Sequence, residues 1–254
     1  MGIRGESDTP KKPSEGLVWS SIMSQIDLPG SESNHISSSD ADRMRFMTHP
    51  WSIRGGGAAE LKELIDTRCE VKLHNLSTSI GITSFTLADD IFFLPIHILR
   101  KRNLPSSNIR EMVVGESIRD WLIESCEHVL FPYELDYEVI ENNPQHPTLT
   151  SLWPARTIIS NSKMFGGKTK VECGLKWYEY GRLTTHKLLT PLSISFANVA
   201  TRNHFSLDRG GKIFECHAPI IKLQNIESIN EHLSILGLLN SSTACFWMKQ
   251  VMTA

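Results

Sequence analysis

From about residue 79 onward, the apolar residues of this 254-residue chain come mostly in runs of three or four, bounded by proline, glycine or acidic turns. Ile91-Phe92-Phe93-Leu94 follows Asp89-Asp90 and stops at Pro95; Met112-Val113-Val114 stops at Gly115; Val129-Leu130-Phe131 stops at Pro132. Thr157-Ile158-Ile159 is a further run of this kind. Such pieces are too short for a helix to bury a face, and their punctuation is that of strands. The prediction is an α+β fold, a mixed β-sheet region of short strands with flanking helices, rather than a doubly wound sheet.

The later part of the chain is more regular. Residues 192–200 alternate as a strand does, and Phe205-Ser206-Leu207 continues the extended pattern. Asp208-Arg209-Gly210-Gly211-Lys212 reads as a hairpin turn whose glycines supply positive φ, with Lys212-Ile213-Phe214 and Ile220-Ile221-Lys222-Leu223 returning as strands. Asn230 is placed as the cap of a final helix that carries Leu233, Leu236, Leu238 and Leu239 on its apolar side and still runs at Trp247. Residues 141–148, with Pro144 and Pro147, read as a loop.

The expected organisation is a flexible lead-in over residues 1–45 and a turn with a connecting helix over 46–78. An α+β region over 79–229 follows, and a truncated C-terminal helix over 230–254 ends the chain. The lead-in holds Pro10, Pro13, Pro29 and a Ser-rich run at 31–39, and only Leu17, Val18, Trp19, Ile22 and Ile26 make a short amphipathic piece. The connecting helix starts near Ala58 and is expected to bury Leu61, Leu64 and Ile65.

No stretch approaches the ~20 apolar residues of a membrane helix. The richest, residues 91–99, is interrupted by Pro95 and His97. The polar N-terminus is unlike a secretory signal, so no membrane contact is expected and a cytoplasmic location is. Cys69, Cys126, Cys173, Cys216 and Cys245 form no C-x-x-C pair and read as reduced thiols. His128, His146 and His217 have no partners at metal-ligand spacing, so no metal ligand is assigned.

Charge is distributed unevenly. Residues 1–149 hold 14 Lys+Arg against 22 Asp+Glu, a net of −8, whereas residues 150–215 hold 10 against 4, a net of +6. A basic block in an acidic chain fits either a polyanionic partner or a solvated basic face. Within it Arg156, Lys163, Lys168, Lys170, Lys176, Arg182, Arg202, Arg209 and Lys212 are candidate phosphate contacts, interleaved with Trp177, Asn203 and His204 as groups able to reach bases. The turn Gly166-Gly167-Lys168-Thr169-Lys170 can set backbone amides and two ammonium groups against a phosphate, or be a plain basic surface turn. Trp177-Tyr178-Glu179-Tyr180 is either a ring-bearing surface or a strand with half-buried aromatics.

Several blocks carry a family resemblance: His49-Pro50-Trp51-Ser52-Ile53 before Gly55-Gly56-Gly57 and Ala58-Ala59-Glu60-Leu61-Lys62; Val114-Gly115-Glu116 with Arg119-Asp120-Trp121; Leu130-Phe131-Pro132-Tyr133. Further on come Phe165-Gly166-Gly167-Lys168-Thr169-Lys170-Val171-Glu172, Trp177-Tyr178-Glu179-Tyr180-Gly181-Arg182, Arg202-Asn203-His204-Phe205 and Leu207-Asp208-Arg209-Gly210-Gly211-Lys212. Ala218-Pro219-Ile220-Ile221-Lys222-Leu223 and the stretch 236–247 complete the set. In this order, over roughly residues 46–251, the chain resembles PglX-type adenine-specific DNA methyltransferases of bacterial phage-defence (BREX) systems, with Arg54 standing where a glycine is expected.

The resemblance implies a region that follows the catalytic core and contributes DNA target recognition, in a family that uses S-adenosylmethionine. The core's own motifs are not in this sequence. Gly55-Gly56-Gly57 follows no β-branched strand, and Asn143-Pro144-Gln145-His146 lacks the second proline and the aromatic of an Asn-Pro-Pro-aromatic tetrapeptide. No catalytic or cofactor-binding residue is therefore assigned, and no cofactor is expected on this chain. The expected partners are double-stranded DNA and either a separate catalytic segment or other defence-system proteins. The remaining alternatives are a stand-alone DNA-binding or specificity subunit and an inactive remnant.

Overall fold

The computed structural model describes residues 12–47, 49, 51 and 57–252. The chain divides into two compact units, residues 1–70 with 246–254, and residues 71–245. In the first unit, the amphipathic piece of the lead-in is helix α1 (Leu17–Gln25), and α2 (Ala58–Arg68) is the connecting helix. The Gly55-Gly56 part of the preceding turn and residues 1–11 of the lead-in lie outside the described residues. The expected burial on α2 is corrected: Leu61 and Leu64 are about half exposed, and none of its residues is buried. Helical spacing creates a face that can be covered; it does not supply the cover. Asp66 on α2 pairs with Lys62 (2.8 Å) and accepts from Trp247 Nε1 (2.7 Å).

The second unit is a mixed α+β body. Its strands are β1 (Ser77–Gly81), β2 (Ser84–Phe85), β3 (Ile109–Val113), β4 (Ile118–Arg119), β5 (Leu122–Ile123), β6 (Glu127–Leu130), β7 (Arg182–Leu183), β8 (Ser193–Phe196), β9 (Phe205–Asp208), β10 (Ile213–Phe214) and β11 (Ile220–Leu223). Between and after them run the short helices α3 (Leu73–Leu76), α4 (Asp89–Phe92), α5 (Ile96–Lys101), α6 (Pro147–Leu152), α7 (Arg156–Ser160) and α8 (Thr185–Leu188), then α9 (Ile229–Leu239) and α10 (Ser242–Val251), whose last turns belong to the first unit. β1-β11-β8-β9 form an antiparallel sheet, and β10-β3-β6 form a second sheet in which β10 runs parallel to β3. Two-stranded ribbons pair β2 with β7 and β4 with β5. No helix among the described residues is long and apolar enough to cross a membrane.

The three-stranded sheet separates two cores. Successive side chains on a strand point to opposite faces. Met112 and Ile213 therefore enter a large core with Phe92, Phe131, Tyr178 and Tyr180, while Val113 and Phe214 enter a smaller one with Ile118, Ala218 and Ile220. Three buried tyrosines in the large core are satisfied by the backbone: Tyr178 donates to Ile140 O (2.8 Å), Tyr180 donates to Leu130 O (2.9 Å), and Tyr133 Oη accepts from Tyr180 N (2.8 Å). An unpaired phenol there would cost about 1–3 kcal/mol, so these bonds fix the chain's path around the rings.

Six sequence expectations about these elements are corrected. Ile91-Phe92 belongs to helix α4, because Asp89 and Asp90 favour a helical first turn and one turn suffices to bury Phe92; only Phe93 bridges to a strand residue, Val129. Thr157-Ile158-Ile159 is likewise helical, with Ile159 buried and Ile158 exposed, a pattern that one turn of helix shares with a half-buried strand. The 208–212 turn is no hairpin: β9 pairs with β8, and β10 pairs with β3 in the other sheet. The last helix is capped by Ser228, whose hydroxyl accepts from Glu231 N, and not by Asn230. That helix also breaks at Asn240, whose amide exchanges two hydrogen bonds with the backbone of Phe205 (3.1 and 2.9 Å). The loop read at 141–148 ends earlier, where His146 caps α6 with Pro147 at its first position.

Gly115 is where β3 meets the turn after β10. A Cβ at this position would lie 2.6 Å from the carbonyl oxygen of His217. Gly115→Ala is therefore expected to displace backbone and lower stability by about 1–3 kcal/mol, read as a shift in the denaturant midpoint with the slope unchanged.

Candidate nucleic-acid interface

Arg156 opens α7, three residues after Trp153, and that helical spacing puts its guanidinium 4.6 Å from the centre of the Trp153 ring and 5.7 Å from that of Trp177. The two indoles meet edge to face at 6.0 Å. Trp153 is 53% exposed, so the cation-topped ring pair faces solvent. Beside it is an open cavity of about 480 Å³ lined by Asn142, Arg156, Asn161, Thr169, Lys176 and Trp177, among others. A planar cation on indoles, next to amide side chains able to donate and accept, is a chemistry that receives a phosphate or a base.

The turn after α7 adjoins this cavity through Thr169. Lys163 bridges to Thr169, Met164 N donates to Lys168 O (2.8 Å) and Gly167 N donates to Met164 O (3.0 Å). Gly166 and Gly167 hold φ of +103° and +86°, with open space where a Cβ would be; the turn needs them for backbone conformation and not for room. At the tip Phe165 is 91% exposed, its ring stacked on Phe85 at 5.8 Å and the exposed Lys163 and Lys168 on either side.

The phosphate cradle considered for this turn is reduced by the structure. Thr169 N and its hydroxyl donate to Glu172 Oε2 (2.7 and 2.9 Å), and the first of these bonds chiefly holds the Glu172 carboxyl below its ordinary value. Lys170 N donates to Ser162 O, and the Lys170 ammonium is buried and donates to Glu179 O. Burial pushes that ammonium down to about 8. Lys170 is thus a core residue, and the turn offers Lys168 and Lys163 to a ligand.

The other candidates divide in the same way. Lys176, Arg182, Arg202 and Arg209 are exposed, with Lys176 Nζ lying 3.3 Å from Ile140 O and Arg182 Nε donating to Thr184 Oγ1 (3.2 Å). Trp177 is half-buried in the ring cluster, while Tyr178 and Tyr180 are core; Trp177 and Tyr178 lie in a turn, and none of the three is in a strand. Asn203 Nδ2 donates to Leu239 O and Ser241 O, closing the C-terminus of α9. His204 Nδ1 lies 2.8 Å from Asp120 Oδ1. Lys212 Nζ is 3.0 Å from the buried Asp208; burial lowers its pKa, but the Asp208 hydrogen bond and charge outweigh that and leave it raised. Sequence reasoning missed Trp153, Asn142 and Asn161, although Trp153 and Arg156 at i, i+3 were a usable signal once that segment is helical.

No protein-family profile matches the chain. A solved Type IIL restriction-modification enzyme, MmeI in complex with DNA, superposes over 72% of this chain and 23% of its own, with 16% identity and a TM-score of 0.47. Adenine-specific methyltransferase PglX of Streptomyces coelicolor is 37% identical over 250 residues, 98% of this chain. Over nearly its whole length, the chain is therefore a homologue of a segment of PglX, spanning 21% of that protein.

Proposed function

We propose that this chain is the DNA-contacting, target-recognising portion of an adenine-specific, S-adenosylmethionine-dependent DNA methyltransferase, and that it acts on double-stranded DNA beside a separate catalytic segment. The observation that carries this reading is the solvent-facing Arg156 on Trp153 and Trp177, set at a cavity with Lys176 and next to the Lys163–Lys168 turn. The turn's exposed Phe165 supplies a ring that stacks on a base or enters a base step, while the lysines on each side hold phosphates. Neither the glycine-rich cofactor turn nor the Asn-Pro-Pro-aromatic tetrapeptide is in this sequence, so in this reading methyl transfer belongs to a catalytic segment outside these 254 residues.

The test is methylation of duplex DNA, followed by a radiolabelled methyl donor. The chain alone is expected to transfer nothing. Mixed with a PglX segment that carries the catalytic motifs, it should direct methylation to adenines in a defined sequence context, and Arg156→Ala should lower that yield at least about tenfold. Methylation by the chain alone, or site choice that ignores its presence, sinks the proposal.

A further inference from the structure

Away from this surface, the turn after β10 brings together three consecutive side chains of different metal-binding chemistry. Glu215, Cys216 and His217 each offer one ligand atom, and all three atoms lie within 4.8 Å of one another. The backbone explains why neighbours in sequence converge. Glu215 N donates to Val113 O (2.9 Å) and Ala218 N to Glu215 O (2.9 Å), which closes a tight turn. Gly115 admits the His217 carbonyl at a distance no side chain would allow. Glu215 is buried, Cys216 half-buried and His217 exposed, so the set runs from the interior to a solvent-accessible entrance.

The surroundings favour a cation. An open cavity of about 480 Å³ has Glu215 and His217 in its wall together with Asp89, Glu116 and Glu127, and no lysine or arginine among its lining residues. Asp89 comes from the start of α4 and is held by the Thr86 hydroxyl, the kind of outer hydrogen bond that orients a carboxylate ligand. The Cys216 thiol donates to Glu215 Oε1 (2.6 Å), and His217 N donates to Glu215 Oε2 (2.8 Å). A proton thus occupies the space between sulfur and carboxylate that an ion would take.

We infer that Glu215, Cys216 and His217 form a binding site for a borderline divalent cation of the zinc type, with Asp89 or water completing four-coordination. Carboxylate, thiolate and imidazole together suit zinc, whereas an all-oxygen wall would suit magnesium or calcium. With ligand-to-metal distances of about 2.0–2.3 Å, tetrahedral ligand atoms stand roughly 3.3–3.7 Å apart, so the exposed His217 side chain moves inward while the Cys216 sulfur and Glu215 Oε1, 2.6 Å apart, separate by about 1 Å to admit the ion. On binding, the thiol releases its proton to solvent and the metal–sulfur bond replaces the S–H···O contact.

The experiment uses the full chain with Co²⁺ and Zn²⁺ alone as probes. Co²⁺ is expected to bind one to one and to produce a near-ultraviolet thiolate-to-cobalt charge-transfer band, which Zn²⁺ abolishes by displacement. Cys216→Ser should remove the band, and His217→Ala should weaken binding roughly tenfold or more. Both variants are checked for native circular dichroism, and Cys126→Ser, altering another thiol of this unit, should keep the band. No band in the wild type, or a band that survives in Cys216→Ser, overturns the inference. Neither outcome bears on DNA binding, which rests on other residues.

Discussion

Duplex binding by this chain should weaken on the order of 100-fold between about 50 and about 200 mM monovalent salt, with a log–log slope near about −3.6. The figure comes from counting Arg156, Lys163, Lys168 and Lys176, the exposed cations at or beside the ring-lined cavity, as one phosphate contact each. Each neutralised phosphate adds about 0.9 to the slope through released counterions. Lys163→Ala with Lys168→Ala should bring the slope to about −1.8. Phe165→Ala tests a different term: stacking carries no counterion release, so affinity should fall about tenfold at every salt concentration with the slope unchanged. Arg156→Lys should recover the slope lost in Arg156→Ala but not the full affinity, since an ammonium keeps the charge and loses the planar contact with Trp153. Anisotropy titrations at four salt concentrations read all of these together. A slope near zero in the wild type would show that the basic block is a solvated face.

How much of this surface was legible depended on where each partner lies. Alternation exposed the strands around 193–196 and 205–208, because period-two patterning needs no knowledge of the rest of the chain, whereas the strand at 220–223 was read from an unbroken run buried at every position. It failed at Ile91-Phe92 and Thr157-Ile158-Ile159, where one buried residue per turn of helix looks the same as a short strand. The candidate cations show the same limit. Lys170, Lys212 and Lys168 are all lysines of one basic block, yet Lys170 is engaged by the Glu179 carbonyl and Lys212 by Asp208, while Lys168 faces solvent. Asn203 could not be recognised as a helix-closing residue before its partners, 36 and 38 positions away, were known. Glu215, Cys216 and His217 present the opposite case: they are adjacent in sequence, but only the turn between the two sheets makes adjacency into convergence.

Stability should rise, not fall, as pH is taken from 7 to about 9.5, and should then drop steeply beyond about pH 10.5. Lys170 and Lys222 are buried with carbonyls as their hydrogen-bond partners, Glu179 O for the first and Thr190 O and Leu192 O for the second. Burial pushes both ammonium groups down to about 8 from the ordinary 10.5. Between those values the unfolded chain binds more protons than the folded one, so raising the pH favours folding. The penalty is fully present below about pH 8 and is relieved through the window above it. The two lysines together should give about 1–2 kcal/mol between pH 7 and 9.5, after allowance for residual solvent screening. The thiols of Cys126 and Cys216, both raised above the ordinary 9.0 chiefly by burial, offset part of this rise from about pH 9 upward, and the phenols act in the same direction as those thiols. Burial raises Tyr133 and Tyr180 above the ordinary phenol range and Tyr178 to about 12. Above about pH 10 the folded state holds protons that the unfolded chain gives up, and stability is lost. Urea midpoints at pH 7, 9.5 and 11.5 should therefore be non-monotonic, highest at the middle value. Lys222→Met should remove about half of the rise whatever it does to stability at pH 7, because a thioether does not titrate. A midpoint that declines steadily from pH 7 upward would mean that the two lysines titrate as they do in water, and that their burial among backbone carbonyls is not maintained in solution.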